Sequence, residues 1–394
     1  MPFIGNKPTA IPLGADDLED NIISTAKIQD NAVTPAKYIE PVPFRNIIIN
    51  GDMSIAQRGT STTGVTTSDG YYACDRWYSQ TDIGTWTISQ STDVPTGQGF
   101  AKSLKYDCTT AEASPSAGDQ LHLSHRIEGQ DLQQLKKGTS NAEKVTLSFW
   151  VKSNKTGTYQ VNIRDKDNTR MIAKTYAISS ADTWEKKTLT FDGDTTGVLD
   201  NDNANSLELE WFLGAGSNYT SGAVPTSWEA ESATDRAAGL NVNLGDSTDN
   251  EWYITGVQLE VGSQATPFEH RSFGEELDLC YRYYVKYHAG GSGTLSRIAL
   301  GFMRTTTNLR ALFTFPREMR STPALDDDNA DNYHVEDAAG SSDDDVPVAS
   351  ISQGGFQTCL VNFTTASLTN NVPAHVGVTD STDKLVGLGF DAEL

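Results

Sequence analysis

The sequence is short of basic residues: 30 Lys and Arg stand against 52 Asp and Glu, a formal net charge of −22 over 394 residues. Proteins that track nucleic acid gain affinity from cations that neutralise phosphates, so DNA and RNA are not expected as partners. Any anionic surface is repelled at long range, and contact with one needs short-range recognition, screening salt or a divalent cation. Cysteine is scarce. Cys74, Cys108, Cys280 and Cys359 lie far apart and match neither a metal spacing nor a small disulfide framework, so they read as buried thiols of a protein assembled in a reducing compartment. No run approaches the ~20 apolar residues of a membrane helix, and the opening MPFIGNKP lacks the basic-then-apolar pattern of a secretion signal, so no membrane insertion is expected. Catalytic signatures are missing too: there is no Gly-x-Ser-x-Gly, His-Glu-x-x-His, phosphate loop or Cys-x-x-Cys. Carboxylates are so numerous that no acid–base pair can be chosen without geometry. An enzyme is therefore not the expectation.

What is present is turn chemistry. With 33 Gly and abundant Thr, Ser, Asn and Asp, the chain reads as many short strands between turns, enough for two or three domains. Residues 1–45 differ. Leu13, Leu18, Ile23, Ile28, Val33 and Tyr38 recur every five positions, and Asp20-Asn-Ile-Ile-Ser-Thr-Ala-Lys is echoed as Asp30-Asn-Ala-Val-Thr-Pro-Ala-Lys. That period belongs to neither helix nor strand, and one apolar residue in five cannot build a core within one chain. The segment reads as an arm that self-associates or docks, closed by Pro41-Val-Pro43.

Residues 46–270 read as a β-sandwich, a jelly roll in type. Asn46-Ile-Ile-Ile-Asn suggests an opening strand with a Gly-Asp turn. Val145–Val151 and Tyr159–Ile163 alternate apolar and polar residues, and Trp184–Phe191, Leu207–Trp211 and Trp252–Val261 add strands. Within the last of these the apolar parity switches across Gly256, which predicts a bulge. Ser272-Phe-Gly-Glu275 then predicts a capping box for a short helix with Leu277, Cys280, Tyr281, Tyr284 and Val285 on one face. Residues 271–394 thus read as that helix plus a distal β domain, with strands near Ser296–Met303, Leu309–Phe315, Phe356–Phe363 and Leu385–Phe390.

These stretches carry a resemblance. WYITGVQLEVGSQATPFEHR followed by EELDLCYRYY resembles a junction found in tail-fibre and receptor-binding proteins of tailed bacteriophages, where a carbohydrate-binding-module-like jelly roll precedes a distal β domain. The opening PFIGNKPTAIPL and the ten-residue echo are similar to the N-terminal attachment segment of short-tailed phage fibres. VTLSFWVKS (145–153), GTYQV (157–161) and WEKKTLTF (184–191) look like core strands of carbohydrate-binding jelly rolls. The resemblance implies a homotrimer in the virion tail, assembled in the host cytoplasm. Its arm would be held by a phage tail protein and its tip would contact a host envelope glycan or outer-membrane receptor, three weak sites acting together. A tail-associated polysaccharide depolymerase and a non-viral carbohydrate-binding protein are the alternatives.

Candidate ligand-binding residues follow from placement. Trp77, Trp150, Trp184, Trp211 and Trp252 sit in apolar strand patterns and are assigned to the core. Trp86 and Trp228 stand among Thr, Ser, Gly, Pro and acidic residues and are the candidates for stacking on a sugar. Tyr333 and His334 join them as an aromatic beside a hydrogen-bonding group in an otherwise polar loop. His122 and His125, three apart in a strand, fall on opposite faces and make no ligand pair. Asp192-Gly-Asp194, Asp200-Asn-Asp202 and the run Asp326–Asp331 could offer oxygens to calcium but lack the EF-hand pattern. Surface turns account for them, and no cofactor or metal is expected.

Overall fold

The computed structural model describes residues 45–67, 69–288, 295–327, 333–378 and 387–394, which belong to one compact unit spanning Phe44–Leu394. The arm positions Leu13, Leu18, Ile23, Ile28, Val33 and Tyr38 lie outside the described residues, as do 328–331 of the acidic run. The protein is mainly β, with antiparallel sheets and two α-helices, both short, among the described residues.

Two sheets face one another across the larger core. The first runs, in spatial order, Ser61–Val65, Thr85–Ser91, Ser103–Thr110, Glu251–Val261, Val145–Ser153 and Glu185–Phe191. The second runs Glu229–Ala230, Arg170–Ile178, Gly157–Asp165, Asn205–Ala215, Gln120–Glu128, Trp77–Thr81 and Gly70–Tyr71. Strand alternation sends Leu147, Phe149 and Val151 inward from one sheet and Leu207, Leu209 and Trp211 inward from the other, all buried in a single cluster. At Gly256 the pairing with Val145–Ser153 slips between Thr255 and Gln258. Gly256 adopts φ +61, and a Cβ there would stand 2.5 Å from the Phe100 ring. The bulge therefore requires glycine twice over, for its backbone and for its neighbour.

Asn46–Asn50 forms no strand. Its asparagines supply the hydrogen bonds a ladder would have supplied: the Asn46 carboxamide donates to Val257 O and accepts from Leu259 N, while Asn50, at φ +57, bonds both main-chain groups of Ile55. Asn side chains compete with sheet formation in this way, and apolar periodicity cannot register it.

The helix Phe273–Tyr281 starts with the expected box, Ser272 accepting from Glu275 N and Glu275 from Ser272 N. It is shorter than expected. Tyr284 and Val285 belong to the strand Tyr284–His288, which pairs with Gly387–Asp391, flanked in turn by Ala324–Asp327. A seven-stranded sheet completes the second core, in the order Ser342–Val346, Tyr333–Asp337, Pro373–Val378, Ser296–Thr305, Asn308–Thr314, Thr358–Thr364 and Val348–Gly354.

The two cores are joined by arginines stacked on the tyrosines that follow the helix. Arg58 lies 3.6 Å from the Tyr284 ring centre and Arg76 3.4 Å from that of Tyr283. Both guanidinium groups also pair with Glu393, and Arg58 with Asp391 at 2.9 Å. Arg282 closes the far side on Glu128 at 2.7 Å. Deep burial alone would weaken these charges, but the facing carboxylates more than offset it and hold the pKa of Arg58 and Arg76 above the usual value. All four cysteines are buried and unpaired.

Candidate functional site

Three of the candidate aromatics are corrected by their surroundings. Trp86 has no exposed surface: it points inward from Thr85–Ser91, packs edge-on against Tyr106 and donates its indole N–H to Ile83 O at 2.7 Å. The polar residues around it in sequence are the outward half of the same alternating strand. Trp228 is half-buried against the core, donates to Asp192 O at 2.7 Å, and has Lys137 Nζ 4.5 Å from its ring centre. The space left beside it is about 20 Å³, room for a water and not a sugar. Tyr333 is a core residue of the distal domain, edge-on to Phe363 and hydrogen-bonded to Asp327. It lies on a strand, not in a loop. Two tryptophans assigned to the core are instead half-exposed, Trp150 and Trp184. Trp150 is an outward-facing strand position, and Trp184 donates to Asp93 at 2.9 Å with Tyr253 edge-on beside it.

The outer face of the second central sheet is closed. Glu210, fully buried, accepts from Arg164 and Arg236 at 2.6 Å each, and Gln160 and Asn162 donate to the Asp235 and Arg236 carbonyls of the segment folded over them. The guanidinium groups of Arg236 and Arg164 hold the Glu210 carboxyl well below the carboxylate range, against the effect of burial. Further along the same face, Arg126 stacks on Tyr78 and donates to Leu394 O. His122 and His125 do fall on opposite faces, beside Phe212 and Trp77 respectively, and burial pulls both pKa values down to about 3. Of the aspartates with calcium-like spacing, Asp194 pairs with Lys137 and Arg170, and Asp192 with Lys144.

Among the described residues, nothing covers the outer face of the large distal sheet around Leu300. Glu336, His375, Leu300, Leu312 and Leu360 are register partners in one row across five strands. Leu300 is 74% exposed, and Phe302 and Leu312 about half so. Beside Leu300 lies an open groove of about 360 Å³, walled by Glu336, His375, Pro373 and the turn from Asp337 to Gly340. His334 sits on the same face as Glu336, two residues earlier, and bonds Asp344 through Nδ1 at 2.6 Å. His334, Glu336 and His375 each offer a ligating atom within 4.8 Å of the others, the group among the described residues that could hold a metal ion. Asp337 faces inward and its carboxylate accepts from the main-chain N–H of Ala339, Ser341 and Thr369. Sequence reasoning reached His334 but not its partners: Glu336 could have been found from the two-residue spacing, whereas His375 comes from a strand 40 residues on.

No protein-family profile matches the chain, and no curated protein matches it by sequence. Among solved structures, the enzymatically active domain of tailspike protein 4 from bacteriophage CBA120 aligns over 56% of this chain and 22% of its own, at 14% identity and TM-score 0.29. A putative sugar binding protein from Bacteroides thetaiotaomicron aligns over 55% and 100%, at 13% identity and TM-score 0.31. The family 11 carbohydrate-binding module of a Clostridium thermocellum cellulosomal cellulase aligns over 52% and 96%, at 10% identity and TM-score 0.24. Superpositions this loose leave fold and function to be argued from the chain's own residues.

Proposed function

We propose that this protein is an attachment fibre of a tailed bacteriophage, a homotrimer held to the virion tail by residues 1–45, whose distal sheet takes a host-surface glycan into the groove beside Leu300. The observation that carries the reading is the composition of that groove. The Glu336 carboxylate and His375 imidazole stand next to exposed Leu300 and Pro373, which matches a pyranose with hydroxyls at its rim and apolar C–H faces. Its volume suits one or two sugar rings. Binding without turnover is favoured over depolymerisation, because Asp337, the other carboxylate at the groove, faces inward and is spent on three main-chain donors, leaving Glu336 without the second free carboxylate that glycoside hydrolysis ordinarily uses.

A panel of bacterial envelope polysaccharides probed with the full chain tests this. Leu300→Asp and Glu336→Ala should each abolish retention of the bound glycan, with Trp184→Ala unchanged. Loss with Trp184→Ala alone would move the site to the central sandwich, and release of new reducing ends would replace adhesion by hydrolysis. Light scattering on the full chain and on a chain starting at Asn46 tests the assembly. A trimer is expected for the first, and a monomer at both lengths would remove the self-associating arm.

A further inference from the structure

Two polar residues of the groove, Glu336 and His375, form with His334 a constellation that direct contact with a sugar does not by itself call for. His334 and Glu336 project from one face of Tyr333–Asp337 because they are two apart, and His375 stands opposite Glu336 across the ladder. Glu336 Oε2 is 3.2 Å from His375 Nε2, close to the ~3.3 Å edge of a tetrahedron with metal–ligand bonds of about 2.0–2.1 Å. We propose that His334, Glu336 and His375 form a binding site for a divalent transition-metal ion of the zinc class, with its fourth position open to the groove.

Three further observations point the same way. His334 Nδ1 is held by the Asp344 carboxylate at 2.6 Å, the outer contact that fixes a ligating imidazole's tautomer and leaves Nε2 with its lone pair. His375 Nε2 already accepts a hydrogen bond, from Arg297 Nε at 2.9 Å, and Arg297 Nη2 reaches Glu336 Oε2 at 3.4 Å. A guanidinium therefore occupies the place of a cation between two of the three ligands. Its side chain is 61% exposed, so it can swing into solvent when an ion enters. Two imidazole nitrogens and one carboxylate suit zinc and its first-row neighbours, whereas calcium needs six to eight oxygens. The net charge of −22 also concentrates divalent cations at the surface. The ion would share Glu336 and His375 with the proposed glycan groove, but it is held by protein ligands alone, so metal binding is tested without a glycan and stands or falls separately from it.

Equilibrium dialysis of the untagged full chain against zinc chloride, with metal analysis of the retentate, tests the site. One equivalent is expected for the native protein and none for His334→Ala or His375→Ala. Asp344→Asn should weaken binding about 10-fold or more. Arg297→Ala, which keeps all three ligands and removes the competing cation, should tighten binding, and thermal unfolding of each variant without metal checks its folding. No zinc in the native protein, an undiminished equivalent in the two histidine variants, or weaker binding by Arg297→Ala would overturn the proposal. Calcium chloride in place of zinc should give no equivalent at these residues, and calcium retained there and lost in His375→Ala would overturn the assignment to the zinc class.

Discussion

The second central sheet and the large distal sheet are each seven-stranded, antiparallel and packed on a core by one face; they differ in what lies on the other face. On the central sheet Glu210 pairs with Arg164 and Arg236, Asn162 donates to the Arg236 carbonyl of the segment folded over it, and Arg126 is held by the Leu394 carbonyl. On the distal sheet Leu300, Phe302 and Leu312 meet solvent. A face whose charged groups pair with one another beneath a covering segment is a structural element. A face that leaves large apolar side chains in water beside a groove has the composition of a contact surface. The comparison predicts that substitutions on the two faces have opposite consequences, stability on one and binding on the other.

The largest effect belongs to the closed face. Glu210→Ala removes the carboxylate that Arg236 pairs with and one of the three on Arg164, and breaking a buried pair this way costs about 3–5 kcal/mol. Urea denaturation followed by tryptophan fluorescence should show the midpoint fall accordingly. A cost below about 1 kcal/mol, the value of an exposed ion pair, would mean that the face is wet and that the contrast with the distal sheet is false.

Acid should act on the closed sheet next. His122 and His125 are held neutral, chiefly by burial, with pKa values lowered from 6.5 to about 3. The folded protein therefore binds fewer protons than the unfolded chain between those values, so this stability is complete above pH 6.5 and is lost as pH falls through the window. Each histidine contributes about 1.4 kcal/mol per pH unit there. Asp75 acts in the other direction, since burial raises its pKa from 3.8 to about 6 and stability from it declines as pH rises between those values. His125→Phe keeps the edge contact on Trp77 and should reduce the loss of urea midpoint between pH 6.5 and pH 5. An unchanged slope would show that His125 is hydrated in the native state. Smaller again is Gly256→Ala, which forces a side chain into a left-handed conformation against Phe100. It should cost about 1–2 kcal/mol, measured in the same way.

How far such features can be read from sequence depends on whether their cause is local. The Gly256 bulge and the Ser272–Glu275 box were legible because each follows from a few neighbouring residues. Trp86 was misleading for a physical reason: polar neighbours in a strand are what an inward tryptophan has, because alternate residues face opposite sides. Trp228, by contrast, stands outside any strand and is drawn onto the core by a bond to Asp192 O that its neighbours in sequence do not announce. Trp150 erred in the other direction, an aromatic in an apolar run that happens to occupy an outward position. The arginine–tyrosine stacks of Arg58 and Arg76 and the row from Glu336 to Leu360 join residues far apart in the chain. Nothing short of strand order could have assembled them.

The smallest expected change in stability carries the most functional information. Leu300 and Leu312 face each other across one ladder with their side chains in solvent, so replacing both by Asp removes little buried area and should move stability by no more than about 0.5 kcal/mol. The same substitution places two carboxylates beside Glu336 on a face that would otherwise meet a partner's apolar surface, and desolvating them there is costly. Retention of envelope polysaccharide should fall to background while the urea midpoint stays near that of the native protein. If the double variant unfolds early, the row is part of a covered interface, such as one between copies of the chain, and not a free face. If it keeps both its stability and its binding, the exposed leucines are incidental and the contact lies on the half-exposed tryptophans of the first central sheet.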